Sequence, residues 1–151
     1  MIETRHLFTL TADVPKIDDL GATPNGTRRI ATVSGGSFKG ERLSGRIRPT
    51  PGGDWLQLRA DGATILDVRC TLETDDGELI YMTYRGVRHG PPEVMARLAK
   101  GESVDPKSYY FRTTPVFETA SEKNRFLNRI VCVATGRREP AGPVYDVFQV
   151  L

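Results

Sequence analysis

The chain has 151 residues, 38% of them hydrophobic, and a formal charge of +2 from 21 basic and 19 acidic side chains. This length suits one domain, residues 1–151, whose core would bury roughly 68–70% of the surface of the unfolded chain. The interspersed charges exclude the clustered basic face of a nucleic-acid binder, and acid and base inside MIETRHLFTL exclude a signal peptide or membrane span, so a cytoplasmic protein is expected.

In chain order, period-two stretches predict strands near 2–12, 27–34, 42–49, 53–60, 63–74, 78–87, 107–118, 129–137 and 144–151. GGSFKG at 35–40 and RPTPGGD at 48–54 read as turns; neither has Walker spacing or a following helix, so neither is a phosphate loop. Two short helices interrupt the pattern. HGPPEVMARLAKGE offers prolines for a first turn, an apolar stripe of Val94, Met95 and Leu98, and Gly101 as a stop. SEKNRFLN offers Ser121 as a cap, with Phe126 and Leu127 pointing inward.

Cys70 and Cys132 lie in no CxxC pattern and read as small buried hydrophobes, while His6 and His89 have no ligand-spaced partner. No metal site and no cofactor are therefore expected, since zinc needs three or four converging ligands.

The most informative stretch is 53–86, GDWLQLRADGATILDVRCTLETDDGELIYMTYRG. Asp61-Gly62 predicts a two-residue hairpin loop, which sets Leu58 against Ile65, Leu56 against Asp67 and Asp54 against Arg69. In TDDGE, a two-residue loop sets Arg69 opposite Tyr84, whereas a three-residue loop with a bulge sets Asp67 opposite Arg85; the Asp-Gly preference favours the first. On that register one apolar face carries Asp54, Asp67, Arg69 and Tyr84 together. It is either a salt bridge in water or the lining of a lumen.

YYFRTTPVFET divides by parity into Tyr109, Phe111, Thr113, Pro115 and Phe117 on one face, and Tyr110, Arg112, Thr114, Val116 and Glu118 on the other. Pro115 argues for an edge, a bulge or a barrel corner, because it has no N–H for a ladder.

GTRRIATVSGGSFKGERLSG, GGDWLQLRADGATILDVRCTLETDDGELI, YFRTTPVFET and FLN, in that order, resemble the domain of unknown function family 3237, also called uncharacterised protein family 0311. The resemblance covers nearly the whole chain. It implies a mainly β fold, a single antiparallel up-and-down β-barrel of calycin type with about 8–10 strands and one or two short helices, assembled into homo-oligomers. It implies no established activity. The family pattern falls on Arg29, Asp54, Trp55, Asp67, Arg69, Tyr110, Arg112 and Glu118, among others, and Phe126 and Asn124 stand where Trp and Tyr are usual.

Three functions fit these residues. The first is a cofactor-independent isomerase, lyase or hydrolase acting on a small oxygenated or aromatic metabolite, with Asp67 as general acid or base and Arg69 or Arg112 stabilising a developing oxyanion. Asp54, Trp55, Tyr84, Tyr110, Arg29 and Glu118 would line the substrate site. No Ser-His-Asp set or elbow motif supports an acyl-enzyme. The second is a non-catalytic carrier or sensor using the same lumen, and the third a structural oligomer. Arg112 is expected to reach the cavity of Asp67 and Arg69, with Glu118 a structural partner.

Overall fold

A computed structural model describes all 151 residues. Eleven strands form one sheet: β1 (Thr4–Asp13), β2 (Lys16–Thr23), β3 (Gly26–Thr32), β4 (Gly35–Lys39), β5 (Ser44–Ile47), β6 (Gly53–Leu58), β7 (Thr64–Thr74), β8 (Leu79–His89), β9 (Tyr110–Glu118), β10 (Cys132–Glu139) and β11 (Gly142–Val150). Eight of them close a barrel in the order β7-β5-β4-β1-β11-β10-β9-β8, sealed by the β7–β8 pairing. β5 and β6 lie end to end along one edge of β7, and β6 carries β3 and then β2 outward as an extension. The fold is the antiparallel β-barrel expected from the sequence.

Two strands escape the sequence pattern. β2, KIDDLGAT, is almost wholly exposed and has no apolar alternation, and β4, GGSFK, looks like a turn because of its glycines. The predicted turn at 35–40 is therefore corrected to a strand, paired to β1 from Asp13↔Gly35 to Thr9↔Lys39. One α-helix, α1 (Pro92–Ala99), follows β8, and Gly101 ends it at φ +77°. The second expected helix is a 3-10 turn, Arg125–Arg129, with Leu127 buried. Neither is long and apolar enough to cross a membrane.

Both hairpins of the 53–86 stretch differ from the favoured register, and for the same reason. At the first, Arg59 N–H donates to Ala63 O at 2.9 Å, so Ala60, Asp61 and Gly62 form a three-residue loop and Gln57 faces Ile65. At the second, Thr74 N–H donates to Glu78 O at 2.9 Å, and Asp67 faces Arg85. Gly62 and Gly77 each take φ +85°, the left-handed position that closes a type I turn with a bulge. Asp61 Oδ1 accepts from Ala63 N–H, and Thr74 Oγ1 accepts from Glu78 N–H, so side chains stabilise the longer loops.

A one-residue slip exchanges the two faces of a strand. Leu66, Val68, Cys70 and Leu72 therefore point into the barrel, while Ile65, Asp67, Arg69 and Thr71 point out. β9 follows its predicted parity throughout, with Phe111, Thr113 and Phe117 buried. Its pairing with β8 runs unbroken through Tyr84↔Pro115, and β10 pairs with it only at Thr113 and Arg112, so Pro115 lies beyond the β10 ladder. Cys70 and Cys132 are buried free thiols, as read from the sequence, and burial pushes them up to about 12 and about 11.

The barrel interior differs between its ends. Phe8 packs on Phe38 and Phe117 at ring distances of 5.3 and 5.8 Å, and the 125–129 turn caps that end through Leu127. At the other end Tyr145 packs on Tyr84 at 5.1 Å and on Phe111 at 5.4 Å, and charged groups join the rings.

Candidate functional site

β6, β8, β10 and β11 together deliver five polar side chains to this second end, Tyr84 of β8 among them. Asp54 stands near the start of β6, Arg88 near the end of β8, Arg138 near the end of β10 and Tyr145 near the start of β11. Along β8 the inward parity runs Ile80, Met82, Tyr84, Gly86, Arg88; along β10 it runs Cys132, Ala134, Gly136, Arg138. They surround a cavity of about 30 Å³, room for about one water molecule, with Ile17 of β2 on its exposed side and Leu56, Leu66 and Phe111 among its walls.

Asp54 is the one acid in this lining and is only 8% exposed. Its Oδ1 accepts from the backbone N–H of Asp67 at 3.0 Å. That contact fills a gap in the β6–β7 ladder, which pairs Asp54↔Val68 and resumes at Gln57↔Ile65. Burial pushes the Asp54 carboxyl up to about 6, against the opposing pull of the Asp67 N–H and of the Arg88 and Arg138 charges.

Burial, and then the neighbouring charge of Arg138, lowers the Arg88 guanidinium. Its Nε is buried without a hydrogen-bond partner, and its guanidinium carbon lies 5.4 Å from the Phe111 ring centre. Arg138 is tied through its backbone N–H, which donates to the Tyr109 hydroxyl at 2.9 Å. Tyr84 and Tyr145 are buried, and desolvation raises both phenols. The Thr113 hydroxyl, deeper along the same wall with both tyrosines, is likewise unpartnered. A carboxyl near neutrality, two guanidinium groups and two phenols can together move a proton and stabilise an oxyanion. No three His, Cys, Asp or Glu side chains converge as metal ligands would.

Of the residues expected to form the site, Asp54 and Tyr84 are here. The others are elsewhere. Asp67 faces outward and meets Arg69 and Arg85 at 3.8 Å each, and Arg69 lies over Trp55 at 5.2 Å on the same outer surface. Arg112 sits over exposed Tyr110 at 5.1 Å and donates to Phe111 O. Arg29 pairs with Asp19 at 3.0 Å, and Glu118 is exposed. The lumen placement of Asp67, Arg69 and Arg112 is thus corrected to the outer wall: the three-residue loops turn Asp67 and Arg69 outward, and Arg112 lies on the outward parity of β9, opposite buried Phe111 and Thr113. There Arg112, Arg85, Val87 and Val133 line an open groove of about 580 Å³, with no buried acid or base in it.

Arg88, Arg138 and Tyr145 were not singled out from the sequence. The expected strands ended at 87 and 137, one residue short of each arginine. A signal existed: Arg88 shares the inward parity of Tyr84, and Arg138 follows the small inward residues Ala134 and Gly136.

The model of the family described as "Protein of unknown function (DUF3237)" matches residues 2–150. The chain belongs to this family. Among DUF3237 relatives, the UPF0311 protein RPA1785 of Rhodopseudomonas palustris is 39% identical over 150 residues, covering 99% of this chain and 97% of that one. Its crystal structure superimposes with a TM-score of 0.93 over 100% of this chain and 98% of that one. A beta-barrel like protein from Acinetobacter baumannii is 40% identical, with a TM-score of 0.87 and coverage of 100% and 97%. An enzyme from Penicillium herquei shares the fold at 18% identity, with a TM-score of 0.74 and coverage of 99% and 95%. In Asn124, a departure from the family pattern, the backbone N–H and the side-chain amide both donate to Ser121 Oγ at 3.2 Å; the ring of Phe126, the other departure, carries Arg42 at 3.6 Å.

Proposed function

We propose that this barrel binds a small oxygenated metabolite at its Asp54 end and acts on it as a cofactor-independent acid–base enzyme, an isomerase or lyase. The observation that supports this is the buried Asp54 carboxyl, pushed up to about 6 between two guanidinium groups and two phenols. A group that titrates near neutrality holds enough of each form to take and return a proton. In the reaction, the Asp54 carboxylate removes a proton from carbon next to a carbonyl. The electron pair moves to the carbonyl oxygen, where Arg88 or Arg138 stabilises the enolate and Tyr145 donates a hydrogen bond. Return of the proton to another carbon completes an isomerisation; loss of a leaving group completes an elimination. The 30 Å³ cavity admits one polar end of the substrate, and the rest lies outward against Ile17.

The test is deuterium exchange in heavy water, followed by mass spectrometry, across a panel of ketones, enones and 2-oxo acids. At least one compound should exchange, and Asp54→Asn should slow it by about 100-fold or more. Unchanged exchange in Asp54→Asn would remove Asp54 from the role. The dry, side-chain-filled centre of the barrel favours a second reading, a structural protein, and exchange in no compound would support that one.

A further inference from the structure

We infer that the pocket takes an anion, a small carboxylate seated between Arg88 and Arg138. The inference rests on the reading that the Asp54 end is the ligand site, and it names what binds there. The chain makes twelve ion pairs, several of them on exposed hairpins such as Arg59–Asp61, yet none includes Arg88, Arg138 or Asp54. Two guanidinium groups thus stand in one apolar-walled cavity without a direct anionic partner, and Arg88 Nε is buried with no acceptor at all. Guanidinium N–H groups withdrawn from water in this way lack an acceptor, which a bound anion would supply.

Asp54 does not supply that acceptor. Its Oδ1 is engaged by the Asp67 N–H, and it makes no ion pair with either arginine. Every other polar group of the lining is a phenol, so the cavity holds a cationic excess. A carboxylate matches this arrangement in shape as well as charge, because its two oxygens in a plane accept from the planar fork of a guanidinium. The size of the cavity narrows the choice. A carboxyl group fits in place of about one water, with its carbon chain toward Ile17, whereas tetrahedral phosphate needs more depth than 30 Å³ gives.

Calorimetric titration of the full chain with sodium acetate and propionate, matched against acetamide, propionamide and inorganic phosphate, tests this. Carboxylates should bind at least tenfold tighter than their amides and tighter than phosphate. Arg88→Gln and Arg138→Gln should each lower carboxylate affinity tenfold or more; Arg138→Gln carries the test if Arg88→Gln fails to fold. Equal binding of acid and amide, tighter binding of phosphate, or unchanged affinity in the folded arginine variants would overturn the inference. Asp54→Asn separates it from the catalytic reading: that variant should still bind acetate while losing deuterium exchange. Carboxylate binding with no exchange in any compound would sink catalysis alone, and exchange of neutral ketones as fast as 2-oxo acids would sink the anion alone.

Discussion

The two ends of the barrel interior are built from similar aromatic rings but differ in the side chains that stand beside them. At one end Phe8, Phe38 and Phe117 interlock without a polar atom among their side chains, and at the other Tyr84, Tyr145 and Phe111 stand beside Asp54, Arg88 and Arg138. A fold that can close one end with hydrocarbon has no structural need for buried charge at the other. The difference therefore supports the proposal that the polar end is the ligand site.

The largest effect should come from the dry end. Phe8 has no exposed surface, so Phe8→Ala should lower the unfolding free energy by about 3–5 kcal/mol in urea titration, through lost burial and a cavity. A loss under 1 kcal/mol would remove the contrast between the ends.

At the polar end the effect should depend on pH and have the opposite sign. The folded state holds the Asp54 proton up to about 6, against an ordinary value of 3.8. Protonated Asp54 thus adds stability that is fully present below 3.8 and is lost as pH rises through about 6. Asp54→Asn keeps the acceptor for Asp67 N–H and never ionises. Its stability relative to the parent should rise by about 3 kcal/mol between pH 3.8 and pH 7, and a flat difference would mean that Asp54 is not desolvated.

The outer wall should respond least. Asp67→Ala removes pairs at 3.8 Å whose arginines are half exposed or more, and should change stability by less than about 1 kcal/mol in urea titration.

Asp54 and Asp67 also show how far the sequence could be read. An all-β fold, most of its strands and the faces of β9 follow from alternation, because one buried face imposes period two, and the family resemblance implied the barrel. Register did not follow from the Asp-Gly dipeptides, since a three-residue loop uses the same glycine in the same left-handed conformation and Thr74 and Asp61 side chains favour it locally. Those two one-residue slips carried Asp67 and Arg69 from the expected lumen to the outer wall. β2 was hidden because a strand exposed on nearly every residue has no pattern to show, and Arg88 and Arg138 because charged residues at strand ends look like the start of a loop.

The hydrogen bond from the Asp67 amide to Asp54 crosses from the inner face to the backbone of a strand whose side chain faces water. It makes one peptide group a built-in indicator for the buried acid: the nitrogen and proton resonances of the Asp67 amide should titrate with Asp54, near pH 6. Occupation of the pocket could then be read at that single amide, with no knowledge of the reaction.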